Sequence, residues 1–138
     1  LSRIDEIRLI NEGSVAEQFV GQHLAYVDCG DEPPRPVYWL REGRGDNAEV
    51  DYVVSRGADV FPVEVKEGTS GKLRSMHQFA HERDLQCAIR FDLNPRSQQS
   101  ICHPVPSRHG TEILEMNLVN QPLYAANELG PILEHLRD

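Results

Sequence analysis

Apolar positions recur along the chain at two spacings, and the changes between them mark out the elements. Val15, Ala16, Phe19, Val20, Leu24 and Val27 recur mostly at three- and four-residue intervals, which puts side chains on one face of a helix. Gly13-Ser14 precedes them as an N-cap and Cys29-Gly30 follows them, so a helix is predicted from about 14 to 28. Residues 1–12 read as a short helix or lead-in. Asp31-Glu32-Pro33-Pro34 is a loop. Beyond it, residues 37–41, 48–54 and 60–66 are rich in β-branched and aromatic side chains and are predicted as strands, with turns at 43–47 and 55–59. Pro62 interrupts the third strand, where an unpaired or bulged position is expected. After the loop 67–71, a second helix is predicted over 72–84 with Leu73, Met76, Phe79 and Ala80 inward. A fourth strand follows over 86–92. Residues 94–110 are polar and rich in Pro, Ser and Gln; they read as loop, with one short strand at 101–105. A strand over 111–118 comes next. Pro122 then opens a last helix running toward Leu136, interrupted or kinked at Gly130-Pro131.

The order is α-β-β-β-α-β plus a C-terminal strand and helix. Hairpin-linked strands followed by a helical crossover imply an α/β fold with a mixed sheet flanked by helices. At 138 residues and 39% hydrophobic, residues 1–138 have the size of a single domain, large enough to bury a core without a disulfide or metal staple. The chain starts at Leu1 rather than Met and reads as a piece of something longer. No apolar run approaches the ~20 residues that span a bilayer, so no membrane partner is expected. Cys29, Cys87 and Cys102 are odd in number and lack CxxC spacing, which points to a reducing, cytoplasmic compartment.

The hairpin 48–66 carries the candidate chemistry. Side chains alternate faces along a strand. Glu49, Asp51 and Val53 share one face of the second strand, and Val60, Pro62, Glu64 and Lys66 share one face of the third. A turn centred near Gly57 brings Asp51 opposite Glu64. Val50, Tyr52, Val54, Phe61, Val63 and Val65 make the other, core face. Two close carboxylates repel unless a cation lies between them. Mg²⁺ or Mn²⁺ suits oxygen donors of this kind and activates water at a phosphoryl group, with Lys66 as a point charge beside it.

Ala48-Glu49-Val50-Asp51-Tyr52-Val53-Val54, followed by Phe61-Pro62-Val63-Glu64-Val65-Lys66, resembles the PD-(D/E)xK nuclease superfamily. The likeness is to the C-terminal domain-of-unknown-function module of prokaryotic AAA-type ATPases. Ala16-Glu17-Gln18-Phe19-Val20 is similar to the first helix of those modules, and Gln121-Pro122-Leu123-Tyr124 to the opening of their last helix. The resemblance implies a restriction-endonuclease-like sheet. It implies metal ligation by Asp51, Glu64 and the Val65 carbonyl, Lys66 as the catalytic lysine, and Glu17 as an accessory acid from the helix. It further implies DNA as substrate and an ATPase module in the same chain. The Pro-Asp pair of the superfamily is replaced here by Val50-Asp51, and Glu49 is either a site or a strand-end residue. A homo-oligomer stays open.

Blander readings compete. A strand ending Glu-Val-Lys is often only a surface ion pair. Arg74, His77, Gln78 and His81 form either a substrate groove with Lys72 or a solvated helix face. Cys102, His103 and His109 lack a fourth zinc ligand at a plausible spacing. The net charge of -8 disfavours broad phosphate binding. Only residues 52–109, with 8 bases against 6 acids, lean the other way. The alternative function is a catalytically silent nuclease-like domain serving assembly or recognition for the ATPase.

Overall fold

A computed structural model of the chain describes residues 15–24, 37–41, 48–56 and 58–135. The expectations for residues 1–12, for the N-cap at Ser14 and for Val27 lie outside the described residues. In chain order the elements are α1 (15–24), β1 (Val37–Arg41), β2 (Ala48–Arg56), β3 (Asp59–Val65), α2 (Arg74–Glu82), β4 (Cys87–Asp92), β5 (Ser97–Ser107), β6 (Gly110–Pro122), a 3₁₀ segment (Leu123–Glu128) and α3 (Leu129–His135). The strands form one mixed sheet in the order β1-β2-β3-β4-β6-β5. β1, β2 and β3 are antiparallel neighbours, β3-β4 and β4-β6 run parallel, and β5 returns antiparallel to β6.

Period-two patterning sorts the sheet's two faces. Tyr52, Val54, Phe61, Val63, Val65, Ile89 and Phe91 are buried with Val20 and Leu24 of α1 and with Ala126, Leu129 and Leu133 of the C-terminal helices. On the other face, Met76 and Ala80 of α2 pack on Ala88, Val105, Leu114, Met116 and Leu118. The expected inward side of α2 therefore holds, with Met76, Phe79 and Ala80 buried. In α1 the inward stripe is narrower than the pattern suggested. Val20 and Leu24 are fully buried, but Val15 and Phe19 are 45% and 40% exposed.

Two local expectations are corrected and a third is met. Residues 94–110 are not loop, because β5 pairs along its whole length with β6, from Ser97↔Asn120 to Ser107↔Gly110. Its prolines, Pro104 and Pro106, are compatible with an edge strand, which lacks a ladder on one side. A two-residue turn closes this hairpin, and Gly110 at φ 114° takes a conformation that a side chain disfavours. Pro62 causes no bulge: it stands in register opposite Val53, and the parallel ladder to β4 begins one residue later, at Val63. The helix expected from Pro122 changes just before Gly130-Pro131, from the 3₁₀ segment Leu123–Glu128 to α3. α3 starts at Leu129, so Pro131 falls in the first turn, where a missing N–H costs no helical bond.

Candidate active site

The register Tyr52↔Val63 makes Asp51 and Glu64 the next residues opposite one another. The two strands are held together there by a side chain. Asp51 Oδ2 accepts the Val65 N–H at 2.7 Å. The contact at Val65 is thus through its N–H. Glu64 is only 6% exposed, and the Lys66 ammonium donates to its Oε1. Glu64 Oε2 is buried without a hydrogen-bond partner. Burial, then the charge of Asp51, pushes the Glu64 carboxyl up to about 7, against the opposing pull of Lys66 and the Asp51 main chain. Burial and a neighbouring carboxylate both favour the protonated form of Glu64.

Lys66 is held from behind. Gly71 has φ 153°, and a Cβ there would lie 2.8 Å from Lys66 Cδ. The bare glycine backbone leaves room for the lysine stem as it runs back toward Glu64.

Glu17 lies on α1, half-buried, and its main-chain oxygen accepts the Tyr52 hydroxyl at 2.9 Å. Tyr52 belongs to the sheet face that α1 covers, whereas Asp51 belongs to the opposite one. Among the described residues no three of His, Cys, Asp and Glu group to hold a metal ion. The structure brings Asp51, Glu64 and Lys66 together, and the main chain of Glu17 is tied to the sheet through Tyr52. The side chain of Glu49 is outside the described residues.

The polar residues of α2 are engaged with the β5-β6 hairpin. Gln78 Nε2 reaches the Pro106 carbonyl at 3.4 Å, His81 Nε2 pairs with Glu112 at 2.8 Å, and the His77 ring sits 4.7 Å from that of His103. Burial, then His103, holds His77 below its ordinary pKa. Cys102 is exposed and Cys87 half-buried.

Sequence reasoning missed the polar row that continues from Glu64. Arg90 of β4 stands in register with Glu64, and Asn120 of β6 stands in register with Arg90. Asp92, fully buried, accepts from the Asn94 N–H at 2.8 Å, from Asn94 Nδ2 at 2.7 Å and from Asn120 Nδ2 at 2.8 Å. Burial acts to raise its pKa, but these bonds and the charge of Arg90 hold it below the ordinary carboxylate value. The signal available was the Arg-Phe-Asp ending of the fourth strand, two charges on one face of an otherwise apolar segment.

Fold and site together define an α/β domain with a mixed sheet and paired, partly buried carboxylates beside a lysine. A family model described as a domain of unknown function, DUF4143, matches residues 12–105, more than half of the chain. The chain belongs to that family, whose description names no activity. The match takes in α1, the strands that carry Asp51, Glu64 and Arg90, and Lys66 just past the end of β3. No curated protein matches the chain. No helix among the described residues is long and apolar enough to cross a membrane.

Proposed function

We propose that this domain is a divalent-metal-dependent phosphodiesterase of the PD-(D/E)xK type acting on DNA, working C-terminal to an ATPase module in the cytoplasm. The observation that carries the reading is the state of Glu64. It is a buried carboxyl with one oxygen on Lys66 and the other unpartnered, pushed up to about 7 by burial and by Asp51. The strand order through β4 supports the restriction-endonuclease-like reading: three antiparallel strands, then a parallel strand reached through a helix.

The donor set fits a hard cation. Mg²⁺ commonly takes one or two carboxylates and completes its shell with water and phosphate oxygens, so Asp51 and Glu64 suffice, with the Val65 carbonyl as the further ligand the resemblance implies. Such an ion would polarise a phosphoryl oxygen and lower the pKa of bound water. The chain's own groups do the rest. With an ion bound there, Glu64 would be held in its ionised form, its proton passing to solvent. Lys66, which donates to Glu64 here, would set a positive charge against the charge that develops on the phosphoryl group. Asp51 keeps β3 in place through Val65.

Mn²⁺ or Mg²⁺ titrated into the chain is expected to raise its melting temperature by mass action. The rise should vanish in Asp51→Asn and Glu64→Gln. An equal rise in all three proteins sinks the assignment. The second reading, a silent assembly module, rests on the Lys66–Glu64 ion pair, which already fills part of the site without a metal. Metal binding without hydrolysis of any DNA would favour it.

A further inference from the structure

Two buried atoms with opposite needs lie on neighbouring strands at one register level. Glu64 Oε2 is an acceptor without a donor, and Arg90 Nη2 is a donor without an acceptor. Their residues are direct Cα partners in the parallel β3-β4 ladder, so both side chains leave the same sheet face. Two complementary buried groups at one register level, neither bonded to the other, suit a cation on the carboxyl side and an anion on the guanidinium side.

A purely structural role for Arg90 explains less. Its Nε lies 2.8 Å from Asp92 Oδ2, close enough for an ion pair but not aligned as a hydrogen bond. Asp92 already accepts three hydrogen bonds from Asn94 and Asn120, so it does not need the arginine to be satisfied. The dependence runs the other way: a carboxylate fixed from three sides orients a guanidinium. The Arg90 side chain is 12% exposed. Leaving a buried charged group short of a partner costs about 1–3 kcal/mol or more, an arrangement expected where a ligand completes it.

The surroundings agree. Glu64, Arg90 and Asn120 lie near the carboxyl ends of β3, β4 and β6, the end of parallel strands at which α/β sheets bind ligands. The two loops leaving that end are tied together. Leu93 N–H donates to Gly68 O at 3.1 Å, and Asn94 Nδ2 donates to Thr69 O at 2.8 Å. The loop that follows Lys66 and the loop that follows Asp92 therefore keep a fixed relation.

We infer that Arg90 is the oxyanion-binding residue of this site, its Nη2 taking a non-bridging oxygen of a phosphate ester beside the cation held by Asp51 and Glu64. The inference rests on the phosphodiesterase reading and adds the group that grips the substrate. A guanidinium suits the role because its planar fork matches a tetrahedral oxyanion.

The test uses sulfate as the probe, titrated calorimetrically into the 138-residue chain with Mg²⁺ present, and Mn²⁺ titrated separately. Arg90→Gln is expected to weaken sulfate binding at least tenfold, and Arg90→Lys several-fold, while Mn²⁺ affinity stays within about twofold of wild type. Side-chain NMR of the wild-type guanidinium gives a readout that no variant's folding can spoil: the Arg90 Nη resonances should shift as sulfate is added. Wild-type sulfate affinity in Arg90→Gln, or Arg90 resonances that ignore sulfate, would overturn the assignment. Absence of Mn²⁺ binding in wild type with Arg90 still responding to sulfate would instead sink the metal reading and leave the oxyanion site standing.

Discussion

Glu64→Gln should make the metal-free protein more stable at pH 8 and leave it nearly unchanged at pH 5. Glu64 moves from 4.5 to about 7 on folding. Between those values the native state holds a proton that the unfolded chain has released. This stabilising contribution is complete below pH 4.5 and is lost as pH rises toward 7. At 1.36 kcal/mol per unit the loss is about 3 kcal/mol, net of the Lys66 contact, which already counts in the shift. Glutamine keeps the shape of the protonated acid and cannot ionise, so it escapes the loss. For a chain of this size that difference is on the order of 10 °C in melting temperature. His77, held below its ordinary pKa, works in the opposite direction through the acid part of the same window, since its neutral form is the one the fold favours. It is common to both proteins and cancels in the comparison. Urea unfolding of wild type and variant at half-unit steps from pH 5 to 8, in chelator, gives the two curves. They should diverge steadily across the window and run parallel beyond about pH 7.5. A divalent ion at ten times its Kd should return about 1.4 kcal/mol to wild type at pH 8 and nothing to the variant. Parallel curves from pH 5 to 8 would refute the buried-carboxyl argument, whatever the metal does.

Other outcomes follow from the same geometry. Lys66→Ala should sharply lower the proposed hydrolysis while metal binding survives; because it removes the ammonium that pulls Glu64 down, the Glu64 carboxyl should titrate higher still by carbon-detected NMR. Gly71→Ala should cost roughly 1–3 kcal/mol in urea unfolding, because it strains a backbone at φ 153°. It should also raise the Glu64 titration by displacing the Lys66 stem, and a silent substitution would remove Gly71 from the site. The chain alone should bind DNA weakly and with a shallow salt dependence, because a net charge of -8 opposes phosphate contacts. Affinity should rise when the proposed ATPase module is joined to it, and tight binding by the 138-residue chain in a low-salt titration would contradict this.

What could be read from the sequence, and what could not, divides by the range of the information. β1 through β4 and α2 stand within two residues or so of their predicted limits because each carries its own signal: a period of two or an amphipathic stripe, bounded by Gly, Asn or Asp. The juxtaposition of Asp51 and Glu64 came from the same local source, since a short turn sets the register of a hairpin. β5 had no such signal. Ser97–Ser107 is exposed almost throughout, with Val105 its one buried residue, so its strand state comes from the ladder offered by β6. Nothing in a polar stretch announces a partner that lies beyond it. A helical wheel ranks positions within α1, and it ranked Val20 and Leu24 correctly, but it does not say which face of the sheet α1 will cover.

Arg90 shows the same limit at the site itself. Its pairing with Glu64 depends on the parallel register Val63↔Ile89, set only after α2 has crossed over and packed Met76 and Ala80 on Ala88 and Leu118. No turn geometry fixes that register in advance. The apolar residues fix it by burial, and the charged ones are carried along. In this domain the core residues Ile89 and Phe91 therefore decide whether Arg90 stands beside Glu64. A one-residue slip of β4 would turn Arg90 and Asp92 into the face that α1 and α3 cover. The sequence marks the fourth strand only as a strand over 86–92, yet its register is what sets Arg90 beside Glu64.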